Sequence, residues 1–286
     1  MMRKRQTRSM RNRLTAPTAI LLLISAGLGC SMLRRKPPLT WGLTLEIDAP
    51  ASDRDAAMKQ TISVLESRLN ALGLSSFEVK PQGDPASGRL FLSLPGSGDS
   101  ERLKRVITAA GKLELVHVIS VPSPSPVQTY STKEQAIASL NSSGRILPGF
   151  QVLPYVERTE TGTNPAPKWV VVKSPAIING SDLRNASAIR GRGNGDDDYE
   201  ISFSLRAEGA DKFGTWTGAN INEYMGVVLN DEVKSIAFIK SQISDQGVIE
   251  GRFTKQAAED LALILKSGSL PFPVKLVGES FIEIKR

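Results

Sequence analysis

The chain has 286 residues, 40% hydrophobic and 23% charged, with 24 glycines and 17 prolines, a composition that excludes a wholly disordered, collagenous or polytopic membrane chain. One cysteine excludes an intrachain disulfide framework and a cysteine-cluster metal site, and one histidine, His117, excludes a site built on two or three histidines. The net charge of +7 is concentrated at one end: residues 1–36 carry nine basic side chains and no acid, so the rest sets 27 basic residues against 29 acidic ones, too even a balance for a nucleic-acid partner.

Arg13 and Arg34 bracket twenty residues without a formal charge, Leu14 to Leu33. As a helix this run is about 30 Å long, the thickness of a bilayer core. Six basic residues among the first thirteen favour a cytoplasmic N-terminus and an exported body, against the opposing cluster Arg34-Arg35-Lys36. Two forms fit: an uncleaved anchor helix, or a lipoprotein acylated at Cys30. Gly29 and Ser31 flank Cys30 as in a bacterial lipobox, although Leu28 stands one place closer to the cysteine than the usual leucine. Residues 1–36 are therefore expected to attach the chain to a membrane of the bacterial envelope, with the body outside the cytoplasmic membrane.

After a charged, proline-containing spacer, Gly42–Ile47 alternates like a strand. Ser52 and Asp55 resemble a capping box. Met58, Ile62, Leu65, Leu69 and Leu72 then form a helical stripe that stops at Gly73. Phe77–Lys80 and Arg89–Leu94 read as strands. Asp99 or Ser100 can cap a helix with Leu103, Val106, Ile107 and Ala110 inside, stopped by Gly111, and Lys112–Ile119 reads as a strand. The order β-α-β-β-α-β is that of a ferredoxin-like unit.

Ser120–Pro126 breaks the periodicity. A short helix is expected at 132–141, irregular chain at 144–167, a strand at Trp169–Lys173 and a polar loop at Arg190–Asp198. From Tyr199 the pattern recurs. Glu200–Leu205 is a strand, and Ala207–Ala219 a helix burying Ala210, Phe213 and Trp216. Tyr224–Leu229 and Val233–Ile239 make a hairpin across Asn230-Asp231. Thr254 caps a helix burying Ala257, Ala258, Leu261, Ile264 and Leu265 that ends at Gly268, and Phe272–Ile284 is a long strand. The expected fold class is α+β: two βαββαβ subdomains after one N-terminal apolar helix. Its parts are the anchor or signal (1–36), a base (37–119), an inserted head (120–270) and a return strand (271–286).

Few residues suggest chemistry. His117 lies inside the apolar strand Leu113–Ile119, as a structural histidine does. The glycines at 191–195 lack phosphate-loop spacing. Asp196–Asp198 are consecutive, so their carboxylates point apart rather than around a cation. No enzymatic activity, cofactor or metal is expected.

The ordered segments Gly42-Leu-Thr-Leu45, Ser67-Arg-Leu-Asn-Ala-Leu-Gly-Leu74, Arg89-Leu-Phe-Leu-Ser-Leu-Pro-Gly96 and Lys112-Leu-Glu-Leu115 resemble the start of the large exported domain of the SecD family. Asn179-Gly-Ser-Asp-Leu-Arg-Asn-Ala186, Glu208-Gly-Ala-Asp-Lys-Phe213, Gly226-Val-Val-Leu-Asn-Asp231, Ile249-Glu-Gly-Arg-Phe-Thr254 and Lys266-Ser-Gly-Ser-Leu-Pro271 follow in the family order. The resemblance implies a role in protein translocation, with a translocating polypeptide as ligand and a Sec translocon or SecF-like membrane protein as partner. It also implies a base and an inserted head, with 120–126 as the exit to the head and Ser269–Pro273 as the return. The family's proton-carrying membrane helices have no counterpart before Arg286, so no proton coupling is expected of this chain. The alternative is an adaptor for another membrane complex, since similar modules occur in resistance-nodulation-division transporters. The motif positions Gly73, Pro95, Gly96, Gly180, Asp182, Leu183, Ala186, Gly209, Phe213, Gly251, Gly268, Leu270 and Pro271 are expected to determine the fold. Of these, Gly180 and Gly251 should need positive φ or a close approach.

Overall fold

A computed structural model describes residues 38–281, apart from 85–86, 97, 121–125, 142, 156–165 and 192–197. The apolar N-terminal run, Cys30, most of the Ser/Pro crossing and the aspartates Asp196 and Asp197 lie outside the described residues. The fold is mixed α+β. In chain order the elements are β1 (Leu39–Ile47), α1 (Arg54–Ala71), β2 (Glu78–Pro81), β3 (Arg89–Pro95), α2 (Ser100–Thr108), β4 (Leu113–Val118), α3 (Lys133–Leu140), β5 (Phe150–Tyr155) and β6 (Lys168–Lys173). There follow β7 (Ile178–Asn179), a 3-10 turn (Gly180–Asp182), β8 (Leu183–Arg190), β9 (Tyr199–Leu205), α4 (Ala207–Ala219), β10 (Tyr224–Leu229), β11 (Glu232–Phe238), β12 (Gln246–Phe253), α5 (Lys255–Ser267) and β13 (Val274–Phe281). No helix among the described residues is long and apolar enough to cross a membrane.

The first sheet has the order β13-β1-β3-β2 and is antiparallel throughout. Leu43, Leu45, Leu90, Leu92 and Leu94 turn one face onto Leu65 and Leu69 of α1 and Ile107 of α2, all almost wholly buried. Burying a leucine side chain is worth about 1.5–3 kcal/mol, so this leucine layer is a main stabiliser of the unit. Asp53 occupies the cap position of α1 without a side-chain cap bond, so the Ser52/Asp55 capping box does not form. Gly73, at φ 79, lets the Leu74 amide fold back to the Leu69 carbonyl and close the helix end. Asp99 Oδ1 accepts from the Arg102 amide and caps α2.

The strand expected to complete this sheet does not do so. β4 pairs with β10 along its whole length and touches β6 and β7, while β13 takes the place beside β1. The cause is visible in its side chains. Leu113 and Leu115 face one core and Val116 and Val118 another, and an edge strand of a two-layer unit has only one core to face. β13 is exposed along most of its length, as an edge strand can be. The chain thus leaves the first unit at Ala109–Lys112, ahead of β4, rather than at 120–126.

The later repeat is also dispersed. β9 pairs with β8 and with β12, an eight-residue strand that periodicity did not reveal. The β10–β11 hairpin joins β4, β5 and β6 instead, and β5 occupies chain expected to be irregular. β4, β10, β11, β5 and β6 close on themselves as a five-stranded ring. Two junctions of the ring are narrow: Val233 opposite Tyr155, and Val118 opposite Val172. Its interior is Val116, Val118, Leu153, Val170, Val172, Val228 and Val233. Asn230 and Asp231, at φ 51 and 62, make the tight β10–β11 turn. Between the ring and the β8/β9/β12 sheet lies the largest core, filled by Phe203, Phe213, Met225 and Leu265 among others. Thr254 caps α5, whose inner face is Ala258, Ala262, Ile264 and Leu265; Ala257 is exposed.

Candidate functional site

Two stretches of chain connect the first unit to the rest: Ala109–Lys112 after α2, and Gly268–Pro273 after α5. They run side by side, and the Leu270 amide donates to the Ala110 carbonyl at 2.9 Å. Each contains one left-handed glycine, Gly111 at φ 70 and Gly268 at φ 91. Arg68 of α1 points between them and is fully buried. Its Nη1 donates to the carbonyls of Val106 (2.8 Å), Ile107 (3.3 Å) and Ala109 (2.6 Å). Its Nη2 donates to Ala110 (3.5 Å) and, from the second crossing, Gly268 (3.1 Å). These oxygens belong to the C-terminal ends of α2 and α5, where helix dipoles present partial negative charge. Burial lowers the Arg68 pKa to about 10, so it remains a cation at neutral pH. A second tie lies nearby, where Arg102 of α2 meets Asp260 of α5 at 2.7 Å. Arg68 stands in a quoted motif, yet sequence reasoning gave it no role. The available signal was its place beside Leu65 and Leu69 on the apolar face of α1.

The Asn179–Leu183 motif forms a second cluster. Asn179 Oδ1 accepts from the Ser181 amide at 2.9 Å, and Asp182 Oδ2 accepts from the Asn179 amide at 3.0 Å. The Asp182 carbonyl accepts from the Arg206 amide, and Gly209 of α4 lies so close that a Cβ there would sit 2.8 Å from that of Asp182. Asp182, Leu183, Gly209 and Phe213 thus come together as the seat of α4. Ala186 is buried on β8 in the same core. Gly180 has ordinary φ and open space where a Cβ would be, contrary to expectation, whereas a Cβ at Gly251 would meet the Phe253 ring at 2.5 Å. Pro95 and Gly96 end β3, with Gly96 against the Thr40 side chain, and Leu270 is buried in the first core with Pro271 following it.

His117 is buried at the junction of β4 and α4. The Trp216 ring lies edge-on at 5.4 Å, Nε2 is 3.4 Å from Glu223 Oε2, and Nδ1 has no partner among the described residues. Burial pushes its pKa below the usual 6.5, Lys173 adds to this, and Glu223 opposes it. No group of three metal-ligating side chains occurs among the described residues. The outer face of α4 forms a shallow open groove of about 580 Å³ lined by Lys212, Thr215, Trp216, Ala219 and Asn220 with Asp211. Exposed large hydrophobic residues are scattered in the later part, at Ile146, Leu147, Ile221 and Val248, and cluster on β13, at Leu276, Val277 and Phe281.

Comparison with known proteins places these features in a family. The family model for the SecDF P1 domain, N-terminal part, matches residues 58–120, and that for the SecDF P1 head subdomain matches 154–272. The protein translocase subunit SecD of Koribacter versatilis is 33% identical over 243 residues, covering 85% of this chain and 42% of the relative. That of Aquifex aeolicus is 33% identical over 232 residues, covering 80% and 40%. The chain therefore spans about two fifths of the length of these relatives. A solved structure described as that of a membrane component, SecDF, that enhances protein export superposes with a TM-score of 0.57 at 27% identity, covering 86% of this chain and 99% of the other.

Proposed function

Since the chain belongs to the SecD family through its P1 domain, we propose that it assists protein translocation by holding a polypeptide as it emerges outside the cytoplasmic membrane. The observation that carries this reading is the order of the two matches, the N-terminal P1 part over residues 58–120, from α1 to β4, and the P1 head over residues 154–272, from the end of β5 past α5. In this reading the first sheet, with its order β13-β1-β3-β2, is a ferredoxin-like base, and the chain between α2 and β13 carries the head. Residues 1–36 tether the body to the membrane, through a helix or through acylated Cys30. A Sec translocon or a SecF-like membrane protein is the partner. Holding a chain needs only extended-backbone and apolar contacts, without catalysis, cofactor or a proton relay in the described residues. The α4 groove suits such contacts, because Trp216 offers an apolar body beside the exposed Ala219 and Thr215.

Photo-crosslinking tests the reading. A photoreactive residue at Ala219, in membranes carrying an export intermediate arrested midway, should label the arrested chain. A residue at Ser63 on α1 should label it far less. Equal labelling from both positions, or none from either, overturns the proposal.

A further inference from the structure

We infer that Arg68 is a clasp: a single guanidinium, held by carbonyls of both crossings, that fixes the orientation of the first unit relative to the rest of the described chain. The device is internal to the chain and does not depend on the polypeptide-holding reading. A fully buried arginine normally meets a carboxylate, because removing a charge from water is costly unless it is paired. Arg68 meets five backbone carbonyls instead, four on the first crossing and its approach and one, of Gly268, on the second.

The surroundings favour control of orientation over simple filling of a core. Gly111 and Gly268 are the left-handed positions of the two crossings, and both lie against the clasp. A Cβ at Gly111 would stand 2.9 Å from Arg68 Nη2 and 2.6 Å from Ile264 Cγ2 of α5. Gly268 contributes the carbonyl that Nη2 takes from the second crossing. A rotation at Gly268 would therefore withdraw that carbonyl from a buried cation whose Nε has no partner among the described residues, while the four acceptors that precede Gly111 stay with Arg68 on the first unit. The clasp is therefore either closed, with both crossings on one guanidinium, or open, with the Gly268 carbonyl withdrawn and only the acceptors of the first crossing kept. Arg102–Asp260 spans the same α2–α5 gap but is partly exposed, so it is the weaker tie.

The test measures orientation directly in the full chain, in detergent. Spin labels are placed at two exposed positions, Ser63→Cys on α1 and Ser187→Cys on β8, with Cys30→Ser removing the native thiol. The parent should give one narrow distance distribution. Arg68→Gln should broaden or split it, and exchange of the Leu270 amide should rise about 100-fold while β1 and β3 amides keep their protection. Gly111→Ala retains the guanidinium but wedges it, and should broaden the distribution in the same direction. If Arg68→Gln is folded and its distribution superposes on that of the parent, the inference is overturned. If Arg68→Gln fails to fold, Gly111→Ala decides: a broadened distribution supports the clasp and an unchanged one overturns it.

Discussion

The first sheet and the five-stranded ring handle hydrophobic residues in opposite ways. In β1, Leu43 and Leu45 are wholly buried while Thr44 and Glu46 between them are partly exposed, so one face meets helices and the other meets solvent. In β4, Leu113 and Leu115 serve the large core while Val116 and Val118 fill the ring. Alternation identifies a strand that has one core; a strand shared by two cores is apolar on both faces, and its pattern says nothing about which sheet it joins.

The sharpest way to break this contrast is to introduce a carboxylate on each face in turn. Leu115→Asp and Val116→Asp, neighbours on opposite faces of β4, should each cost about 4 kcal/mol or more, because either face buries the charge unpaired. On β1, Leu43→Asp should cost as much and Thr44→Asp about 1 kcal/mol or less. Urea midpoints would show it; a tolerated Val116→Asp would mean the ring interior is accessible to water.

A smaller contrast uses glycines. A Cβ at Gly226 would lie 3.0 Å and 3.2 Å from the Val118 and Val116 methyls inside the ring. Gly226→Ala should therefore cost about 1–3 kcal/mol through overpacking. Gly42→Ala meets the Phe91 ring at 2.6 Å, but that ring lies on the partly exposed face and can swing away, so the loss in thermal stability should be clearly smaller.

Helix caps should show no contrast. Asp99 caps α2 beside the first sheet and Thr254 caps α5 beside the third, each accepting one amide. Replacement of either by Ala should cost about 1 kcal/mol. A cap whose loss unfolds only its own unit, seen as separate transitions at Trp41 and Trp216, would show that the two regions unfold independently.

The mildest effect is on pH dependence. Burial keeps His117 neutral in the folded protein, with its pKa below 6.5, so the unfolded chain binds that proton more readily. This contribution leaves stability unaffected above 6.5 and lowers it as pH falls from there toward the folded-state value. Urea midpoints of the parent at pH 7.5 and 5.5 should differ more than those of His117→Gln. Protonation should also quench Trp216, whose ring lies 5.4 Å from the imidazole. Equal pH drift in both proteins would remove His117 as the cause.

Most of the first unit could be read from its residues. The stripe from Met58 to Leu72, the Gly73 stop and the alternation of β1 and β3 are local signals, and each follows from one helix or strand facing one core. The seat of α4 was legible in part: Asp182, Gly209 and Phe213 were singled out, but their mutual contact crosses about thirty residues and has no periodicity. Arg68 was hidden for a different reason. Its partners are main-chain carbonyls, which every residue carries, so no spacing of side chains betrays them.

The sequence by itself determined that the chain is α+β, that its helices cover apolar sheet faces, and that its ordered motifs are those of the SecD family. Only the tertiary structure decided that β4 leaves the first unit, that β13 returns to complete it, and that a buried cation holds the two crossings. The physical reason is one of range. Periodicity and caps are set by neighbours within a few residues, whereas strand partnership and backbone acceptors are set by the lowest-energy packing of the whole chain, in which β1 finds its edge partner more than two hundred residues away.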